Sequence, residues 1–257
     1  MTTTSVPPVP PPARPAPVPA RRPSPAARRR TRAGRRVGWT VVLLTSLTIV
    51  AYSAVPYLMG TLEQLDPERA PLAEAYAGTP AVVQVAFLLH VVGAGVALLV
   101  GPVQFWAGAR RRWPVLHRWL GRVYLGGVAV GGAASLVMAP FNTAGMVGLL
   151  GFGTLGVLWL WTGWRAYRAI RAGDVRSHQA WMIRNFALTY AGVMLRSWVG
   201  VLVAAQAFAA GDAFDFDAAW ENAYHAVTFL CWLPNLVVAE ALVRRRGLPS
   251  VRVVDPV

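Results

Sequence analysis

Five ionisable side chains lie inside long apolar stretches of the chain, where hydrocarbon surroundings make a charge or a polar ring costly. In a membrane such groups pair with one another, line a pathway or bind a cofactor. They are therefore the first candidates for function. The ionisable residues are His90, Arg184, Arg196, His225 and Glu240, and Asn185 and Asn235 accompany them as neutral polar residues.

Arg184 and Glu240 fall at similar depth on neighbouring apolar stretches. This spacing predicts a polar pair, which either ties two helices together or lines a path through the membrane. Arg196 lies about 24 Å along the fifth stretch, at ~1.5 Å of helix rise per residue. Its guanidinium either extends outward to acidic residues in the following loop or serves an internal site. Those acidic residues are Asp212, Asp215 and Glu221.

His90 lies in an otherwise apolar run, about 14 Å from the start of the second stretch at ~1.5 Å per residue. It needs a partner, which is either a carbonyl or hydroxyl of a neighbouring helix or a haem iron. Gly93 lies one turn away, and Gly127 and Gly131 have the G-x-x-x-G spacing on the third stretch. Such glycines permit close helix approach, and they would equally leave room for a flat macrocycle.

Six apolar stretches must position these residues. Each is long enough for the ~20 residues of helix that cross ~30 Å of hydrocarbon, and a helix satisfies its own backbone in lipid. We therefore predict an all-α integral membrane bundle of six transmembrane helices. The stretches are Gly38–Met59, Ala81–Trp106, His117–Ala139, Val147–Tyr167, Ala180–Phe208 and Asn222–Val243.

The charges between the stretches are sorted by side. Nine arginines and no acidic residue precede the first stretch, and further arginines fill alternate connections and begin the C-terminal segment. The remaining connections are acidic or uncharged, apart from Arg69. The positive-inside rule then predicts that both termini are cytoplasmic and that the protein is a multi-pass protein of the cell (plasma) membrane.

The length of 257 residues and the formal charge of +14 limit the domain organisation and the function classes that are possible. This length allows one membrane domain, 37–244. A Pro/Ala/Arg-rich tail, 1–36, precedes it and is predicted to be disordered, and a short tail, 245–257, follows it.

The arginines are placed to set topology and to meet anionic lipid headgroups, which argues against nucleic acid as a partner. Cys231 is the single cysteine, which excludes disulfides and cysteine-rich metal sites. No nucleotide-binding or hydrolase motif is present, so the sequence leaves enzymatic activity undecided.

Several segments between Val82 and Arg244 together resemble a bacterial membrane family described as domain of unknown function 2306. The resemblance implies a multi-span membrane fold and no particular activity. The segments are His90-Val91-Val92-Gly93, Gly101-Pro102-Val103-Gln104-Phe105, His117-Arg118-Trp119-Leu120-Gly121-Arg122-Val123-Tyr124, Gly173-Asp174 before His178, Trp181-Met182-Ile183-Arg184-Asn185, Arg196, and Trp232-Leu233-Pro234-Asn235 with Glu240.

The H-x-x-G and H-R-x-x-G-R segments are also similar to those of two-haem transmembrane cytochromes b. That similarity implies a haem b between His117 and His178 near the cytoplasmic face, and a second between His90 and His225. Arginines would then meet the haem propionates. They are Arg118, Arg122 and Arg184 at the inner site and Arg196 at the outer site.

Three function classes remain open at the level of sequence. One is a haem-containing or quinone-coupled electron carrier that uses the histidines. Another is a small-molecule or proton permease whose path is lined by Arg184, Glu240, Asn235 and Pro234, where the proline frees a helix carbonyl. The third is a structural or accessory membrane protein without a cofactor, whose protein partners the sequence does not identify.

Overall fold

The computed structural model describes residues 25–60, 62–65 and 72–250, and every regular element among them is helical. This confirms the predicted all-α class. Short 3-10 turns follow α1, α5 and α8. The α-helices are α1 (Pro25–Ser53), α2 (Ala73–Ala77), α3 (Ala81–Gln104), α4 (Ala107–Arg112), α5 (Pro114–Met138), α6 (Gly145–Arg171), α7 (Val175–Thr189), α8 (Ala191–Ala210), α9 (Phe216–Leu230) and α10 (Leu233–Arg245).

Six of the described segments are long and apolar enough to cross a membrane, which confirms the predicted multi-span protein. The bundle that they form lies mainly in a compact unit that begins at Trp39. Large apolar side chains such as Val82, Val237 and Phe208 are exposed on this bundle. In a bilayer those side chains face lipid. The segments are Arg36–Ser53, Ala81–Gln104, Pro114–Phe141, Gly145–Arg171, Val175–Ala213 and Phe216–Arg245.

The first helix differs from the sequence-based expectation at both ends. Most of the predicted disordered tail, 1–24, lies outside the described residues, but 25–36 forms the first part of α1. After Pro25 this segment contains mainly alanine and arginine, which are good helix formers, and no further proline. The helix ends at Ser53 rather than Met59, because Pro56 has no N–H to continue the helical hydrogen bonds and begins a 3-10 turn instead.

The fifth and sixth membrane segments are each divided into two helices. The fifth changes from α7 to α8 at Tyr190, and the sixth changes from α9 to α10 across Cys231 and Trp232. Pro234 explains the second interruption, because proline has no N–H to donate and is tolerated in the first turn of α10. No proline or glycine stands at Tyr190 to explain the first.

The helices α3 and α5 cross with their backbones in contact. A Cβ atom added at Gly93 would lie 2.7 Å from the Gly131 N, and one added at Gly127 would lie 2.7 Å from the Gly93 O. Only glycine fits at such distances, as expected for a small-residue crossing in a membrane. The glycine stripe therefore serves helix packing, and the backbone of the partner helix fills the space that a macrocycle would need at this crossing.

Candidate functional site

Arg184 and Glu240 form an ion pair between α7 and α10. Arg184 Nη2 and Nε donate to Glu240 Oε2 at 2.7 Å and 2.9 Å. The guanidinium also stacks on the Trp181 ring, with 4.8 Å between Cζ and the ring centroid. Glu240 Oε1 is buried without a hydrogen-bond partner among the described residues, and Arg244 Nε lies 3.7 Å from it. The pair ties the first half of the fifth segment to the second half of the sixth.

A buried hydrogen-bond network joins α5, α6 and α7 in the middle of the bundle. Tyr124 Oη donates to Asn185 Oδ1 at 2.7 Å and lies 2.7 Å from Thr189 Oγ1. Asn185 Nδ2 donates to the Trp159 carbonyl at 2.7 Å and to Thr162 Oγ1 at 2.8 Å. Trp159 Nε1 donates to Thr189 Oγ1 at 2.9 Å. The five side chains satisfy one another, so they align three helices without any formal charge.

Two histidines and a glutamine lie where α3 ends and α5 and α7 begin. His117 interacts electrostatically with His178. His178 Nδ1 donates to the Ala166 carbonyl at 2.9 Å, and in the neutral ring this bond leaves Nε2 as an acceptor. Gln104 is 8% exposed, and its Nε2 is buried with no partner among the described residues. Its Oε1 lies beside Gly121, one turn after His117.

His90 lies at the α3–α5 crossing. Its Nδ1 donates to the Gly131 carbonyl at 2.8 Å, and its ring meets the Trp159 ring edge-on at 6.3 Å between centroids. The remaining nitrogen, Nε2, is an acceptor in the neutral ring. His225 instead donates from Nδ1 to the Glu221 carbonyl of its own helix at 2.8 Å. Within the described residues, no hydrogen bond, ring contact or electrostatic interaction joins His90 to His225.

Arg196 on α8 points back into the bundle. Its Nη1 donates to the Gly192 carbonyl, one turn before it, at 3.2 Å. Of the two alternatives, this contact does not favour the outward extension toward Asp212, Asp215 or Glu221, because a helical side chain leans toward the N-terminus of its helix. The guanidinium interacts electrostatically with five side chains outside α8. They are Tyr52, Tyr57, Tyr224, Cys231 and His90.

Tyr57 supplies a hydroxyl on the same side of the bundle. Its Oη accepts the Leu72 N–H at 3.1 Å, so its own O–H remains available to donate. Burial raises the pKa of Tyr57 above the ordinary value for a phenol, although the Leu72 N–H and Arg196 oppose the shift. The phenol is therefore neutral, and its oxygen accepts the Leu72 N–H.

Asn235 connects the two interrupted segments. Its Nδ2 donates to the Ala187 carbonyl at 3.1 Å and to the Cys231 carbonyl at 2.9 Å. Ala187 lies just before the change from α7 to α8, and Cys231 lies in the interruption between α9 and α10. One amide thus satisfies backbone carbonyls of two neighbouring segments close to the points where their helices are interrupted.

The arginines expected near haem propionates have other contacts. Arg184 is held by Glu240. The Arg122 guanidinium lies over the Trp119 ring at 4.9 Å, and both side chains are exposed. Arg118 is exposed, and it interacts electrostatically with His117. Their role as partners of haem propionates stays a prediction.

The sequence did not single out the central network as a site. The segments that resemble the family include Tyr124 and Gln104. No sequence pattern predicted a role for Thr162, Trp159 or Thr189. Hydroxyl and indole groups are common in membrane helices, and their role depends on how each helix is rotated. A helical-wheel comparison would have placed Asn185 and Thr189, which are four residues apart, on one face of α7.

Comparison with known proteins gives one match. No curated protein and no solved structure matches the chain. A family model described as a predicted membrane protein, DUF2306, matches residues 87–243, which is more than half of the chain and leaves the first membrane segment outside. This confirms the resemblance drawn from the sequence motifs. The chain therefore belongs to the DUF2306 family of predicted membrane proteins.

Proposed function

We propose that the protein is a membrane permease for a small polar solute, which it holds beside the interruptions in its fifth and sixth segments. The observation that carries this proposal is the pair of interrupted helices joined by Asn235. Transporters commonly build their substrate sites from discontinuous helices near the middle of the membrane. Non-helical backbone at that depth is tolerated where it is buried in protein or lines a cavity.

Polar side chains on both sides of these interruptions support the proposal. Arg196 interacts electrostatically with His90, Tyr124 belongs to the central network, and Gln104 has a buried Nε2 with no partner among the described residues. The His90–Trp159 ring contact links the first group to the network. Such a series of groups offers a solute or a proton successive partners across an otherwise apolar bundle.

Uptake into proteoliposomes tests the permease. We expect radiolabelled L-lactate, L-alanine or glycerol to enter faster than into protein-free liposomes. Asn235→Leu should slow that entry, because it removes both hydrogen bonds at the interruptions. Asn222→Leu, at an exposed asparagine of α9, is the matched control and should leave the rate unchanged. Entry of all three probes at the protein-free rate would contradict the proposal.

A single b-type haem at the inner side is a second candidate, and the proximity of His117 and His178 favours it. The donor set fits such a group, since the carbonyl bond from His178 Nδ1 leaves Nε2 able to bind iron. Haem held there would supply one-electron transfer. The chain itself would orient the His178 ring through the Ala166 carbonyl. The proposed outer pair has less support, because His90 and His225 share no contact among the described residues.

An absorption spectrum tests the haem candidate. Protein purified from haem-replete cells should show a Soret band, and His178→Ala should lose it while still inserting into the membrane. His225→Ala should keep the band. A colourless wild-type protein would end this candidate and leave the permease proposal intact.

We also propose that both termini are cytoplasmic, that the protein lies in the plasma membrane, and that its arginine-rich connections meet anionic headgroups. The support is the distribution of charge along the sequence, in which arginines and acidic residues alternate between successive connections.

A further inference from the structure

We propose that one exposed face of α6 binds an anionic phospholipid, whose phosphate is held by Arg168 and Arg171. The proposal rests on the proposed contact between arginine-rich connections and anionic headgroups, and it deepens that contact by naming the helix face and the kind of lipid. It does not depend on the permease proposal. The face, called the α6 stripe, consists of Leu150, Val157, Trp161, Trp164, Arg168 and Arg171.

The α6 stripe is one continuous face that the described helices leave uncovered. Its successive members are three, four or seven residues apart, a spacing that places them on the same side of a helix. All six side chains are exposed. The buried Ala166 is two residues from both Trp164 and Arg168, which is a rotation of about 200° at 3.6 residues per turn. The opposite side of α6 therefore packs against α5 and α7, and the stripe faces the surroundings of the bundle.

Along the α6 stripe the side chains change from aliphatic to aromatic to cationic. The two aliphatic members are each more than half exposed, as expected for side chains that face acyl chains. Trp164 lies about 28 Å from Gly145 at the start of the helix, at ~1.5 Å per residue, which is close to the ~30 Å of hydrocarbon. The arginines lie one and two turns farther. A phospholipid presents its acyl chains, glycerol region and phosphate in the same order.

Aromatic rings hold the guanidinium groups at the cationic end of the stripe. Arg168 Cζ lies 5.2 Å from the centroid of the Trp164 ring, and Arg171 Cζ lies 5.9 Å from that of Tyr167. Arg171 Nη1 also donates to Tyr167 Oη at 3.3 Å. A guanidinium that lies over a ring keeps N–H groups along its edge, and such an edge matches two oxygens of a phosphate. The rings thus position both arginines before a lipid binds.

The charge of this region selects an anionic partner. Asp174 is the only acidic residue between 75 and 211, and its carboxylate caps α7. Arg165 adds a third exposed guanidinium beside the stripe, over the rings of Trp161 and Trp181 at 5.6 Å and 4.7 Å. A phosphodiester in an anionic lipid keeps its negative charge, whereas the headgroup of phosphatidylcholine is neutral overall. A soluble phosphate would meet the arginines but not the aliphatic part of the stripe.

Thermal unfolding of the full-length protein in dodecyl maltoside tests binding, because a ligand that binds the folded state raises the Tm. The additives are dioleoyl phosphatidylglycerol, dioleoyl phosphatidylcholine with the same acyl chains, and sodium phosphate at equal ionic strength. We expect phosphatidylglycerol to raise the Tm of wild type by a few degrees more than phosphatidylcholine does. Arg168→Gln combined with Arg171→Gln should abolish this difference, and Trp164→Leu should reduce it. A rise with sodium phosphate as large as that with phosphatidylglycerol would overturn the proposal.

The matched control is Arg245→Gln combined with Arg246→Gln, which removes two exposed arginines from the end of the sixth segment. It removes the same charge and should keep the full response to phosphatidylglycerol. The Tm of each variant without lipid shows whether it folds. No preference for phosphatidylglycerol in wild type would overturn both the α6 site and the proposed headgroup contact. A preference that survives the Arg168 and Arg171 substitutions, or that falls equally in both double variants, would overturn the α6 site and leave the general headgroup contact standing.

Discussion

At the scale of single residues, the protein deals with two membrane-embedded arginines in opposite ways. Arg184 donates two hydrogen bonds to Glu240 and stacks on Trp181, so its charge is compensated by the chain itself. Arg196 has tyrosines and His90 around it instead. The first arrangement is that of a fixed contact between helices, whereas Arg196 donates only to the Gly192 carbonyl of its own helix among the described residues.

Glu240→Gln should lower the Tm of the protein in detergent. It leaves the Arg184 charge in a low-dielectric site, and breaking a buried ion pair costs on the order of 3–5 kcal/mol. We expect the lower end of this range, because 27% of the Glu240 side chain is exposed. Differential scanning fluorimetry provides the measurement.

The double variant Arg184→Gln with Glu240→Gln should recover part of that loss, because no unpaired charge remains. Arg244→Gln is the control, since its side chain is 71% exposed and 3.7 Å from Glu240, and it should change little. Losses that simply add in the double variant would show that Arg184 and Glu240 do not interact.

The sequence could identify Arg184 and Glu240 as partners because similar depth on neighbouring segments was enough. It could not predict the contact of Arg196 with Gly192, because packing sets the rotation of α8. The Tyr124 network was hidden for the same reason. Tyrosine, threonine and tryptophan are ordinary in a membrane helix until three helices turn them toward one another.

At the scale of elements, the α3–α5 crossing provides a matched pair of substitutions. Gly127→Ala adds a Cβ that would lie 2.7 Å from the Gly93 carbonyl oxygen, which belongs to the packed backbone of the partner helix. Overpacking of this kind costs about 1–3 kcal/mol. Gly126→Ala, one residue earlier, meets nothing within 4 Å and should be neutral or slightly stabilising. Thermal unfolding of the two variants side by side is the measurement, and equal Tm values would show that the crossing is looser than described.

The start of α7 gives a pH-dependent prediction. Asp174 caps this helix by accepting the Ser177 N–H at 2.9 Å, and hydrogen bonds from Ser177 hold the pKa of Asp174 below its ordinary value of 3.8. A lowered pKa in the folded state contributes stability above the unfolded value, and that contribution is lost as pH falls through the folded value. Asp174→Asn keeps a capping side chain without a titrating group.

The Tm difference between wild type and Asp174→Asn should therefore shrink as the pH falls from 6 to below 3.8. The effect is small, because Asp174 is exposed and solvent screens its charge. A difference that stays constant across this range would indicate that the carboxylate charge contributes nothing to the cap.

The helix boundaries divide into those that local sequence explains and those that it does not. Pro56 accounts for the early end of α1, and Pro234 accounts for the interruption of the sixth segment. The change of helix at Tyr190 has no comparable residue. It lies where Tyr190 Oη contacts Thr45 Oγ1 of α1 at 2.7 Å, so its position depends on packing between distant parts of the chain.

At the scale of the whole molecule, the fold class followed from hydropathy alone, because six helices are the simple way to satisfy the backbone of six apolar segments in lipid. The order in which the helices pack was not available from that argument. It depends on specific contacts, such as the glycines between α3 and α5 and the Arg184–Glu240 pair between α7 and α10. Orientation in the membrane depends on yet another property, which is the charge of the connections.

Reporter fusions test that orientation. Arginine-rich connections are retained in the cytoplasm because translocation of basic residues near a membrane segment is disfavoured. A fusion at Arg111, between the second and third segments, should be active only with a cytoplasmic reporter such as green fluorescent protein. Fusions at Glu68 and Asp215 should be active only with alkaline phosphatase, which requires export. Six segments place residues 68 and 215 on the same side, so opposite results for these two would mean that one segment does not cross. Alkaline phosphatase activity at Arg111 would place the arginines outside and reverse the proposed topology.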